Sequence, residues 1–212
     1  MKMSYHAVAL IILGFLVNIA AAQVGPVLDP YSGASLYLVG SSSTGWTAAQ
    51  SQAQSLGGNL ITIHSAAENQ FIVSTFFHDF TSAGGPNLTD GVGLWLGLYD
   101  PTGITRDDGP GGAASQHAAD FVWVNGESAG YRPWNFGEPN DSNQGEYYGM
   151  IWGPGDSVSG NAPVGTWNDI PDTFPNPSVA IGFFGVAEVV PEPASIALLA
   201  FGATTLLSRR RR

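Results

Sequence analysis

The chain of 212 residues contains no cysteine. Disulfides, each commonly worth ~2–4 kcal/mol, are excluded, so stability has to come from a packed core and other local devices. Basic residues are almost as scarce, with 7 Lys and Arg against 17 Asp and Glu and a net charge of −10. Five of the seven, Lys2 and Arg209 to Arg212, sit at the two ends; between the ends 2 bases face 16 acids, a net charge near −14. Such a surface repels nucleic acid and anionic lipid and suits a divalent cation. No apolar run reaches the ~17–25 residues of a stable membrane span. Internal repeats are absent, and Gly91 to Gly93 fit no phosphate-binding pattern. His64, His78 and His117 lack a paired Ser or Asp motif, and Asp107-Asp108 lies in a Gly-rich stretch where adjacent acids are solvated surface. The expectation is a binding module and not an enzyme.

The ends carry addressing signals. Lys2, an apolar run from Ala7 to Leu16 and Ala20-Ala21-Ala22 form the basic start, greasy middle and small-residue cleavage site of a secretory signal peptide over residues 1–22. At the other end Pro191-Glu192-Pro193, an apolar run from Ala194 to Leu207 and four terminal arginines suit transient arrest in a membrane, with positive charge held on the cytoplasmic side. This order of parts over residues 190–212 resembles the PEP-CTERM sorting signal of Gram-negative bacteria. The resemblance implies an exosortase-type processing partner at Pro191, Glu192 and Pro193, and a cell-surface or extracellular destination reached through transient inner-membrane anchoring.

Between these ends the pattern predicts one α+β domain, residues 35–189, with two helices early and strands later. Ser35 to Val39 reads as an opening strand. Trp46, Ala49, Ala53 and Leu56 recur at helical spacing and stop at Gly57-Gly58. Leu60 to Ile63 predicts a short strand, and Ser65-Ala66-Ala67-Glu68 a capping box ahead of Phe71, Ile72 and Phe76. Leu94 to Leu98, Phe121 to Val124, Tyr147 to Trp152 and Ala180 to Val189 are further strands, the last free to pair with the first. Pro101 to Asp120, rich in Gly and Ala, predicts a mobile surface loop that carries His117.

The chemistry concentrates in "GEPNDSNQGE", Gly137 to Glu146, and "GTWNDI", Gly165 to Ile170. Glu138, Asn140, Glu146, Asn168 and Asp169 offer five oxygen-bearing side chains, and the Asp169 carbonyl a sixth contact. Calcium takes 6–8 oxygen ligands of this kind. The cluster is expected to contain neither Cys nor His, which argues against zinc or copper. A cis Glu138–Pro139 bond, accessible to X-Pro alone at low cost, would turn the flanking side chains toward one ion.

Glu138-Pro139-Asn140, Glu146 and Trp167-Asn168-Asp169 together resemble the calcium and sugar site of mannose-type C-type lectin domains. Trp46, Gly57-Gly58, Glu68, Trp95-Leu96-Gly97-Leu98 and Trp123-Val124-Asn125-Gly126 resemble other parts of that family. The resemblance implies a C-type lectin-like fold, two helices with small antiparallel sheets and a long loop region. It also implies Ca²⁺ as cofactor, and a sugar with equatorial vicinal hydroxyls (mannose, glucose or N-acetylglucosamine) bound by Glu138, Asn140, Glu146 and Asn168. Contacts to a single sugar are then expected to be weak, about millimolar, and strengthened by many copies. A role in surface polysaccharide or biofilm matrix follows by analogy with the family. The alternative is a calcium-stabilised structural or adhesive module that binds protein or another non-sugar ligand.

The departures from the family are specific. Ala53 and Ala187 stand where one family disulfide is expected, and Tyr148 with Asp172, a candidate hydrogen-bonded pair, where the second is. An accessory calcium site would use Asp100, Asp141 and an acid at the position of Tyr147, which argues against that site here.

Overall fold

Alternation along two strands decides how the chain packs. In β4 (Gly93–Tyr99) Leu94, Leu96 and Leu98 point to one side and Trp95 to the other, and every residue but Tyr99 is buried. In β8 (Phe183–Val189) Phe184 and Val186 join the first side, Phe183 and Ala187 the second. A strand buried on both faces has no polar side to show, so β4 and the Phe183 to Ala187 part of β8 read as continuous apolar runs.

The structure, a computed structural model, describes residues 24–41, 44–91, 93–104, 117–142, 145–155, 162–172 and 183–191. The predicted leader, Asp107-Asp108, Glu192 and Pro193 lie outside them. In chain order the elements are β1 (Val24–Leu28), β2 (Ser35–Val39), α1 (Trp46–Ser55), β3 (Asn59–Leu60), α2 (Ala66–Phe76), a 3-10 turn (Thr81–Ala83), β4, β5 (Val122–Trp123), β6 (Tyr148–Trp152), β7 (Trp167–Ile170) and β8. The expected small antiparallel sheets form one hydrogen-bonded sheet in the order β1-β2-β8-β4-β6-β7, with β3 on β8 and β5 on β4. It is mixed, because β8 runs antiparallel to β2 and parallel to β4.

The opening strand pairs with the last as expected, Ser35 opposite Val189 through Val39 opposite Gly185. β1 precedes it and was not foreseen. The predicted strand Leu60 to Ile63 shortens to Asn59–Leu60, and Phe121 to Val124 shortens to Val122–Trp123. "WNDI", absent from the predicted strands, is strand β7.

α1 lies close to the sheet because small residues meet there. Ala49 and Ala53 are fully buried, and Ala53 belongs to the same core cluster as Ala187, so the position of a family disulfide is filled by apolar packing. A Cβ on Gly97 would collide with the Leu60 carbonyl, and one on Gly185 would meet Leu60 Cδ2 at 2.6 Å. Gly97→Ala is expected to lower stability by ~1–3 kcal/mol, the usual cost of overpacking, which chemical denaturation would measure.

Side chains cap both helices. Ser65 Oγ accepts from Glu68 N, while Glu68 Oε2 reaches past the cap residue to accept from His64 N at 2.6 Å, one position beyond the predicted capping box. The expected Tyr148–Asp172 hydrogen bond is not formed. Asp172 accepts from Thr47 N (2.8 Å) and Thr47 Oγ1 (2.6 Å), placing its charge at the N-terminus of α1, where a carboxylate is favoured. Tyr148 stacks on Trp46 at 4.8 Å instead.

Candidate functional site

β7 is the floor on which the acidic loop is assembled. Trp167 N donates to the Pro133 carbonyl and Asn135 N to the Trp167 carbonyl, so the loop after β5 runs beside β7 before it turns. Trp123, Tyr131 and Trp134 present their rings edge-on to Trp167 at 5.8, 5.7 and 6.0 Å, which fixes β7 from below. The loop then turns through Gly137 (φ 88°) and a Glu138–Pro139 peptide that is cis, as expected.

Asp169 is the hub. Fully buried, it accepts from Asn140 N at Oδ1 (3.0 Å) and from Asp141 N at Oδ2 (2.8 Å). Asp141, itself buried and in the left-handed region (φ 47°), accepts from Gly145 N (2.6 Å) and Glu146 N (2.8 Å). Asn140 Oδ1 accepts from Ser142 N at 2.7 Å, leaving one lone pair of that carbonyl. Two aspartates thus hold the backbone that carries Glu138, Asn140 and Glu146.

The one Lys or Arg among the described residues, Arg132, is engaged elsewhere. Arg132 directs Nη1 to the carbonyls of Ala129 and Tyr131 and lies over the Trp123 ring at 4.5 Å. Burial and the charge of Asp169, with a hydrogen bond to that carboxylate, push Glu138 up to about 8. Burial and Asp169 push Glu146 up to about 9, Glu138 and Asp141 adding to the effect and the Ser142 amide opposing it. Glu138 Oε2 and Asn168 Oδ1 are buried acceptors with no hydrogen-bond donor. Raised carboxyls beside undonated oxygens describe a pocket of surplus negative potential, the arrangement a divalent cation relieves.

Four of the predicted residues, Glu138, Asn140, Glu146 and Asp169, are therefore coupled through Asp169, and Asn168 precedes it in β7. Outside the chemistry-bearing stretches the structure adds His117. The expected position in a mobile loop is overturned: its side chain is fully buried, with Nε2 3.5 Å from Asp169 Oδ2. The expectation that no histidine lies in the cluster is corrected with it. Burial lowers the His117 pKa, but Asp169, Asp100 and Asp141 together outweigh it and raise it above 6.5. Nothing in the spacing signalled this, since His117 and Asp169 lie far apart in sequence and meet only in the fold.

Comparison with known proteins locates the fold. Over 156 residues the chain is 28% identical to C-type lectin domain family 4 member G of Mus musculus, covering 74% of this chain and 41% of that protein. It is 30% identical over 133 residues to the low affinity immunoglobulin epsilon Fc receptor of Mus musculus, covering 63% and 29%. The structure matches that of C-type lectin CEL-I from Cucumaria echinata with a TM-score of 0.50 at 21% identity, covering 75% of this chain and 91% of that one. The domain has a C-type lectin-like fold. The chain spans less than half the length of the two curated relatives, so the likeness concerns this lectin-like domain and not their whole activities. Behind the lectin-like domain, residues 189–212 match the family described as the PEP-CTERM protein-sorting motif, a signal that implies export. Of its expected recognition residues only Pro191 is among the described ones, and no helix of the described residues is long and apolar enough to cross a membrane.

Proposed function

We propose that the lectin-like domain is an exported, calcium-dependent carbohydrate-binding module. The observation that carries this reading is the pair of buried, undonated oxygens, Glu138 Oε2 and Asn168 Oδ1, beside two carboxyls, Glu138 and Glu146, whose pKa values burial and the charge of Asp169 raise. Glu138, Asn140, Glu146, Asn168 and Asp169 would hold the ion, an all-oxygen set of the kind calcium takes. Bound calcium supplies open coordination positions for a pair of sugar hydroxyls. The chain's own side chains then read that pair: Glu138 and Glu146 accept from the hydroxyls, and the amides of Asn140 and Asn168 donate to them. Glu-Pro-Asn order favours equatorial vicinal hydroxyls, as in mannose, glucose or N-acetylglucosamine. Phe136, 95% exposed and two residues before Glu138, offers an apolar face at the rim.

The sorting motif supports delivery to the cell surface or matrix. There an exosortase-type enzyme would process the tail after transient anchoring, and many copies would turn weak single contacts into useful avidity. A second reading, a calcium-stabilised structural or adhesive module with a non-sugar ligand, is favoured by the way Asp169 ties down two loop amides, a task an ion would reinforce.

The test is retention of the fragment from Gln23 to Val190 on immobilised mannan. Retention in calcium, release by chelator and by free mannose but not galactose, and loss in Glu138→Gln are expected. Flow-through under every condition, with calcium still raising the melting temperature, would replace the sugar reading with the structural one.

A further inference from the structure

Beside the oxygen cluster stands a second group of different chemistry. Asp100 follows β4; its amide donates to the Tyr147 carbonyl (2.8 Å) and its Oδ1 accepts from Thr102 N (2.7 Å). Its other oxygen, Oδ2, is buried and accepts no hydrogen bond. His117 begins a turn in which Asp120 N donates to the His117 carbonyl at 3.0 Å, bringing the side chains of His117 and Asp120 to one side. His117 Nδ1 is fully buried, has no hydrogen-bond partner and lies 4.0 Å from Asp120 Oδ2. One donor atom from each of Asp100, His117 and Asp120 lies within 4.8 Å of the other two.

We propose that Asp100, His117 and Asp120 form a second cation site, separate from the Glu138 cluster, that takes a divalent transition ion of the zinc type and not calcium. The acids alone would not carry this. The independent observation is the unpartnered, fully buried imidazole nitrogen facing them, together with the undonated Oδ2 of Asp100.

The ligand chemistry selects the ion. Calcium and magnesium are hard and take oxygen, whereas imidazole nitrogen suits zinc, copper, nickel and iron. Zinc bonds of ~2.0–2.2 Å place tetrahedral ligands ~3.4 Å apart, so the three donors need only draw in modestly. The far side of the ring is already arranged for this role. Metal-bound histidines typically give their other ring N–H to a carboxylate, which fixes the tautomer and raises ligand basicity. Here Nε2 faces Asp169 Oδ2 at 3.5 Å, and Phe121 holds the ring edge-on at 5.3 Å. Asp120, whose side chain is 22% exposed while its Oδ2 is buried, is the least buried of the three. Tyr147, whose hydroxyl donates to the Gly103 carbonyl at 3.3 Å, gives no acid to convert this place into an oxygen-only site.

The experiment titrates the full chain with ZnCl₂ by calorimetry in saturating calcium, and with CoCl₂ by visible absorption and imidazole NMR. Expected are one zinc equivalent of micromolar affinity, visible cobalt d–d bands, and a paramagnetic shift of the His117 ring signals beyond those of His64 and His78. His117→Gln and Asp120→Asn should each weaken zinc at least tenfold with the near-UV dichroism unchanged, and Glu138→Gln should leave zinc affinity within twofold. No zinc heat in folded protein, equal affinity in His117→Gln, or loss in Glu138→Gln alone would overturn the site. The first outcome would leave His117 as an internal countercharge for Asp169, and the last would assign the zinc to the oxygen cluster.

Discussion

Replacing Asp169 by Ala should abolish calcium-dependent retention and lower stability by ~2–5 kcal/mol, the larger effect of any single substitution in the site. The magnitude follows from what the carboxylate holds. Its two oxygens accept the Asn140 and Asp141 amides in a fully buried setting, and each orphaned buried donor costs ~1–3 kcal/mol. Loss of those bonds releases the loop carrying Glu138, Asn140 and Glu146, so the effect extends beyond one ligand. Glu138→Gln is the informative contrast. It removes a carboxylate whose Oε2 receives no donor, so retention should vanish while stability in chelator stays within about 1 kcal/mol. Urea denaturation of both variants checks this. Equal stability losses in the two would show that Asp169 is not the organiser of the loop.

Stability in chelator should fall as pH rises from about 5 to 9, and calcium should reverse the trend. Glu138 and Glu146 titrate near 8 and 9 in the folded protein, against an ordinary 4.5. Across that window the native state keeps protons that the unfolded chain has released, and stability falls with pH wherever the native state binds more protons. The destabilisation is absent below 4.5, grows through the window and is complete above about 9. Glu68 and Glu188, also raised by burial, act in the same direction. An ion in the cluster takes the place of the protons, so binding should release protons and calcium affinity should rise with pH. Melting temperatures at pH 5, 7 and 9, with chelator and with calcium, read both effects. A flat profile in chelator would mean that the acids find countercharge elsewhere. At a hundredfold excess over its dissociation constant calcium should add ~2.7 kcal/mol.

Much of the fold was legible because its signals are local. The small-residue stripe of α1, Ser65 before α2 and the strand Ser35–Val39 depend on neighbours within a few residues, and all three stand where the periodicity places them. The oxygen-bearing side chains proposed to hold the ion were noticed for the same reason, gathered in two short stretches around Pro139 and Trp167. Mispredicted elements depend on distant partners. Leu60 to Ile63 loses its end as a strand because Ile61 bonds to Val186 on one side and Gly97 on the other, outside a regular ladder. Asp172 leaves Tyr148 for Thr47 because the end of β7 reaches the exposed amides at the start of α1.

The sequence by itself determined the class of domain, its two helices, the all-oxygen character of the acidic loop and the sorting motif, since composition and short-range spacing encode each of these. Tertiary structure alone decided that Asp169 is the hub of the loop and that β4 and β8 pair in parallel. It alone brought His117, from the end of a Gly-rich stretch, beside Asp169 in the interior. The physical reason is the same in each case: these contacts join residues far apart in the chain, and only burial of the two-faced sheet brings their charges into one low-dielectric place, where an unmatched acid must find a proton or a cation.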